Sequence, residues 1–86
     1  MLSISKSVRL TTSPDGGILL NVERGSMFSL NPVGARIIQL LERPQTRTAL
    51  LRQISSDFHV SESEAAPDLD EFLSVLRERE LLDGDA

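Results

Sequence analysis

The sequence predicts an α+β domain of winged helix-turn-helix-like form, a three-stranded antiparallel meander followed by three helices. Up to Leu30 the apolar residues suit strands, and after Asn31 they recur at helical spacing. The change of period falls within residues 25–34 (GSMFSLNPVG), where Asn31-Pro32 follows a strand with almost no loop. Asn is a favoured N-cap because its side-chain oxygen accepts from free amides of the first turn, and proline suits the first helical position, where a missing N–H costs nothing.

The first strand covers about residues 8–12, with Val8 and Leu10 alternating against Arg9 and Thr11. Ser13-Pro14-Asp15-Gly16 reads as a hairpin turn, since proline presets one turn dihedral and Asp-Gly tolerates positive φ. The second strand, about 17–22, contains Ile18-Leu19-Leu20 and is expected to be central and buried on both faces. Glu23-Arg24-Gly25 turns the chain into the third strand, 26–30, with Phe28 and Leu30 on one face and Met27 and Ser29 on the other. The first and third strands are the edges.

The first helix, about 32–41, carries an apolar stripe of Val33, Ile37, Leu40 and Leu41, and Gly34 within it signals close approach of another backbone. The second helix, about 48–58, is capped by Thr46 or Thr48 and turns Leu50 or Leu51, Ile54 and Phe58 inward. Ser61-Glu62-Ser63-Glu64 is a capping box, but Pro67 lacks the donor that a helix interior requires. The expectation is a short turn of helix ending near Ala66 and a new helix over 67–80 with Pro67 at its start. Leu69, Phe72, Leu73 and Leu76 form its core stripe, Leu81-Leu82 folds back on the core, and residues 83–86 fray.

Eighty-six residues with 40% apolar content suit one domain with a modest core, spanning 1–86. The absence of cysteine excludes disulfides and thiolate metal sites and fits a reducing cytoplasm. Neither a signal peptide nor a run of about 18 apolar residues is present, so a soluble chain with no membrane partner is expected. The net charge of −4 divides into +4 over residues 1–56 and −8 over residues 57–86. Such polarity can steer a charged partner, although solvated helix faces account for it as well.

Catalysis is not expected, nor is any metal or cofactor. His59 is the only histidine, placed at a helix end where a cap or surface role is the common one. Asp68 and Glu71 share a face but have no further ligand nearby, and no glycine-rich phosphate motif follows a strand. Nucleic acid is not an expected partner either, because the last helix would bring five acids (Asp68, Asp70, Glu71, Glu78, Glu80) to the phosphates. Winged-helix DNA binding or a homodimeric interaction module are the alternatives.

Peptide binding is left, and the edges favour it. Lys6 and Arg9 guard the first strand, whereas residues 26–30 contain no charge and no proline. Such an edge can accept an added strand, or it can be covered by a dimer partner or by the chain's own tail. Val75 widens the apolar face of the last helix on the side of Asp68 and Arg79, beyond what one core contact needs.

The runs MFSLNPVG (27–34), IIQLL (37–41), TALLRQI (48–54) and DLDEFLSVL (68–76), with Leu81-Leu82, resemble the PqqD-like proteins over nearly the whole chain. Glu42-Arg43-Pro44-Gln45 in place of the usual Asp-Gly turn, and Pro67, depart from that pattern. The resemblance implies a recognition element that binds the leader segment of a ribosomally made precursor peptide and presents it to modifying enzymes. A copy of this size is similar to those of lasso-peptide pathways, which work beside a leader peptidase and a macrolactam-forming cyclase. It implies that the leader adds as a strand at Ser26, Met27, Phe28, Ser29 and Leu30 and packs on the last helix at Asp68, Leu69, Phe72, Val75, Leu76 and Arg79.

Overall fold

The computed structural model describes residues 1–84. Strand β1 (Leu2–Ile4) precedes β2 (Val8–Ser13), β3 (Gly16–Asn21) and β4 (Ser26–Leu30), followed by α1 (Pro32–Leu40), α2 (Arg47–Phe58), α3 (Glu62–Glu78) and β5 (Leu82–Gly84). β2, β3 and β4 form the predicted antiparallel meander, with β3 central. Only Pro14 and Asp15 separate the paired residues Ser13 and Gly16. Gly16 has φ of 137°, and a Cβ there would lie 1.9 Å from the carbonyl oxygen of Leu30, so the turn admits glycine alone.

β3 ends at Asn21 because that side chain builds the next turn: its Oδ1 accepts from the amides of Glu23 and Arg24 at 3.1 and 3.2 Å. Leu19, opposite Leu10 and Phe28, is buried beneath α1. Burial of β3 on both faces does not hold, however. Ile18 is 39% exposed and Leu20 half-buried, because the helices cover one face of the sheet and leave the other to solvent.

Asn31 caps α1 by accepting from the Gly34 amide at 2.7 Å, with Pro32 as the first helical residue. Ile37, Ile38 and Leu41 are buried, while Val33 and Leu40 lie half-buried at the margin. Thr46 caps α2 through the Ala49 amide at 3.0 Å, and both Leu50 and Leu51 join Ile54 in the core. His59 closes α2 in the left-handed conformation and is exposed.

The restart at Pro67 does not occur. Ser61 caps α3 and the helix runs from Glu62 through Pro67 to Glu78, ending earlier than expected. The acceptor that Pro67 leaves without an amide donor is the carbonyl of Ser63, on an exposed residue that water can satisfy. Ala65, Leu69, Leu73 and Leu76 meanwhile share one buried face, and burying each leucine is worth roughly 1.5–3 kcal/mol, which a break at Pro67 would put at risk.

Glu80, with φ of 59°, reverses the chain so that Leu81 and Leu82 turn into the core. The expected fraying from residue 83 is also corrected: Leu82–Gly84 pairs antiparallel with Leu2–Ile4 as a separate two-stranded sheet, while residues 85–86 lie outside the described residues. Leu2 exchanges backbone hydrogen bonds with Gln45 at 2.7 Å in each direction, and Ile4 and Ser5 donate to the carbonyls of Leu41 and Leu81. The first residues thus join the α1–α2 connection to the end of the chain. Their strands are too short for a period to be read from sequence.

Two surface arginines tie the helices together. Arg36 on α1 donates to Asp57 on α2 at 2.7 Å, and Arg47 at the start of α2 grips Asp70 of α3 with two bonds of 2.6 and 2.9 Å. The hydrogen bond from Arg47, with its charge, holds the Asp70 carboxyl below its ordinary value of 3.8.

Gly16→Ala is expected to cost at least about 3 kcal/mol in urea denaturation, from positive φ and collision with Leu30 together. Gly25→Ala, at φ of 69° with nothing within 4 Å of the added Cβ, is expected to cost only about 1 kcal/mol. Because the folded pKa of Asp70 is depressed, its stabilising effect is complete above the ordinary value and is lost as pH falls through the folded one. Asp70→Asn should lower the melting temperature at pH 7 by roughly 1–5 °C, and the gap to wild type should close below about pH 4.

Candidate functional site

β4 pairs with β3 along one side, and among the described residues no strand occupies the other. Val22 donates its amide to the carbonyl of Ser7, so even-numbered positions at the end of β3 turn their backbone groups toward β2, and alternation turns the odd-numbered ones toward β4. Ser26, Phe28 and Leu30, which stand opposite Asn21, Leu19 and Gly17, therefore supply the ladder to β3. Met27 and Ser29 aim their N–H and C=O groups at the free edge. Their side chains lie on the solvent face, Met27 being 65% exposed, while Phe28 and Leu30 pack against the core on the helix side.

α3 runs alongside β4 in the opposite direction. At its C-terminal end the Arg79 guanidinium lies over the Phe28 ring, 4.6 Å from the centroid, and Glu80 pairs with Arg24 of the β3–β4 turn. Further back along α3, the ring of Phe72 lies 3.4 Å from where a Cβ on Gly34 would stand. Gly34 does serve a close approach, but of an aromatic side chain and not of a backbone. Beyond Phe72 a cleft of about 400 Å³ opens between the start of α1, the end of α2 and the first half of α3. Val33, Ile37, Ile54, Phe58, Val60, Ala65, Leu69 and Phe72 give it apolar walls, and Asn31, Glu64 and Asp68 form its polar part.

Of the predicted residues, Asp68, Leu69 and Phe72 line the cleft, while those of β4 lie outside it and approach α3 through Phe28. Phe28 and Arg79 meet directly, and Asp68 and Phe72 line the cleft just past the end of β4. Val75, 39% exposed, lies between them on α3. Leu76, only 2% exposed, is core and offers no surface, and Leu69 is equally buried, reaching the site only as a wall of the cleft. A strict helical stripe cannot separate a buried position from its half-exposed neighbour, which is why both entered the predicted set. Sequence reasoning missed Asn31, Val33, Phe58, Val60 and Glu64, whose only signal was the glycine at position 34 that lets α3 approach.

Comparison with protein families decides the kinship: residues 16–82 match the model of coenzyme PQQ synthesis protein D (PqqD). The chain belongs to the PqqD family. Among solved structures, this PqqD-family chain is similar to TbiB1 in complex with the TbiA(beta) leader peptide, at 33% identity and TM-score 0.84, with 98% of each chain covered. A lasso peptide synthetase B1 complexed with the leader peptide shares the fold, at 19% identity and TM-score 0.77, covering 96% of this chain and 98% of that one. Comparison with curated proteins gave no match. Among the described residues no helix is long and apolar enough to cross a membrane.

Val75→Asp should leave the thermal unfolding midpoint within a few degrees of wild type, since the carboxylate stays in water. Leu73→Asp, which buries a charge in the core, should cost more than about 3 kcal/mol and abolish the cooperative transition.

Proposed function

We propose that this PqqD-family chain is a non-catalytic recognition element that binds the leader segment of a ribosomally synthesised precursor peptide by strand addition at β4. The observation that carries this reading is the free edge itself: among the described residues no strand pairs with the outer side of β4, where Met27 and Ser29 turn their backbone groups, and α3 lies alongside with Arg79 over Phe28. The 33% identical chain that matches along its whole length was solved with a leader peptide, which supports the same reading.

The leader's main chain bonds Met27 and Ser29, and its inward side chains rest on Phe28, Phe72 and Val75, with Asp68 and Arg79 at the margins. Ser26 and Leu30 delimit the paired stretch, and Leu69 and Leu76 support the helix from beneath. The bound leader is presented to a leader peptidase and a cyclase of the same pathway, in the cytoplasm where ribosomal precursors are made. The chain needs no cofactor for this, and all bond chemistry belongs to those enzymes.

Affinity for the matching leader is expected between about 10 nM and 10 μM, because a short disordered segment must be ordered on binding. Titration with leader peptides from neighbouring open reading frames, followed by hydrogen exchange, should show slowed exchange at Met27 and Ser29. Ser29→Pro removes an amide that faces outward, so it should abolish binding while leaving the fold intact. Unchanged protection at saturating peptide, together with a dimer in sedimentation, would instead assign the edge to self-association.

A further inference from the structure

The groove along α3 carries opposite charges at its two ends. Asp68, Phe72, Val75 and Arg79 fall on one line of the helix, with the apolar pair between the two charged residues. Three nearby carboxylates are matched, Asp70 by Arg47, Asp57 by Arg36 and Glu80 by Arg24, while Glu62, Glu71, Arg77 and Glu78 lie off the line that Asp68, Phe72, Val75 and Arg79 form and Glu64 precedes it. Among the described residues, Asp68 and Arg79 have no ion-pair partner. Arg79 rests on the Phe28 ring, and Asp68 stands at the cleft with Glu64 one turn before it. Glu80, next to Arg79 in the sequence, is drawn to Arg24.

We propose that these two charges fix the direction and register of the leader by selecting a segment with a basic side chain at the Asp68 end and an acidic one at the Arg79 end. The inference rests on the strand-addition reading and deepens it. Every strand pairing among the described residues is antiparallel, and an antiparallel addition to β4 sets the N-terminal end of the segment beside Leu30 and Asn31, close to Asp68. Asp68 and Arg79 are separated by roughly 16 Å of helix, which an extended strand crosses in about five residues. The chemistry selected is therefore Lys or Arg followed about five residues later by Asp or Glu, with apolar side chains between. A peptide entering in the opposite direction brings like charges to both ends.

The test is selection of phage-displayed random dodecapeptides on wild type and on the double variant Asp68→Arg/Arg79→Glu, with thermal melting to verify that both fold. Wild type should enrich the basic-then-acidic order, and the double variant the reverse. In fluorescence anisotropy the best wild-type peptide should bind the double variant at least about tenfold more weakly, and its charge-reversed counterpart should recover the loss. Asp68→Asn and Arg79→Gln should each erase the preference at one end only. Enriched peptides without charge order, or binding to both proteins within about threefold, would overturn the inference while leaving strand addition standing. Failure of wild type to enrich any peptide above a Ser29→Pro control would overturn both.

Discussion

Because Gly34 has no side chain, the ring of Phe72 can sit where a Cβ would begin to press, and α3 comes down beside the end of β4. That contact sets the spacing on which the groove depends. A Cβ here would touch the Phe72 ring at 3.4 Å, ordinary van der Waals contact, whereas a side chain reaching further would collide with the ring. The Asn31 cap fixes the contact in turn, since its Oδ1, hydrogen-bonded to the Gly34 amide, is also within 3.3 Å of the position a Cβ would take. One short run of backbone thus ends a strand, starts a helix and seats the wall of the cleft.

The edge of β4 stays open because nothing within the described chain reaches it. The terminal segments that would be free to cover it are engaged elsewhere, β1 and β5 with each other and with the backbone of Gln45, Leu41 and Leu81. The uncharged edge, a liability in an ordinary sheet, is kept on the side of α3 that carries the exposed Val75 and the half-buried Phe72. Pairing β1 with β5 keeps both strands off the surface proposed to take the leader.

Charge is distributed with the same division of labour. Arg36–Asp57 and Arg47–Asp70 lie outside the groove and hold α1, α2 and α3 in place, each worth little singly at an exposed site. The charges at the margins of the groove are left without internal partners. Acidity of the second half of the chain, legible as a bulk property in the sequence, is distributed in the fold over the exposed side of α3, with Asp57, Asp70 and Glu80 drawn into ion pairs and Asp68 left at the cleft.

Local chemistry settled much of this in advance. The meander, the caps at Asn31 and Ser61 and the left-over edge at residues 26–30 follow from alternation, turn residues and side chains that satisfy backbone within a few positions, whereas Phe28 and Arg79 as candidates came from the resemblance to PqqD-like proteins. The continuity of α3 through Pro67 did not follow, because a missing hydrogen bond at an exposed turn was outweighed by burial of Leu69, Leu73 and Leu76 against partners distant in sequence. The β1–β5 pair and the open outer face of β3 were likewise invisible, since strand partners at opposite ends of the chain and the side on which helices pack leave no periodic trace. Sequence by itself determined the three meander strands, the first two helices and which edge would be unguarded, because those choices rest on neighbouring residues. Only the tertiary structure decided that α3 runs antiparallel to β4, with Asp68 at one end of the groove and Arg79 at the other, because that arrangement depends on which long-range contacts pack best.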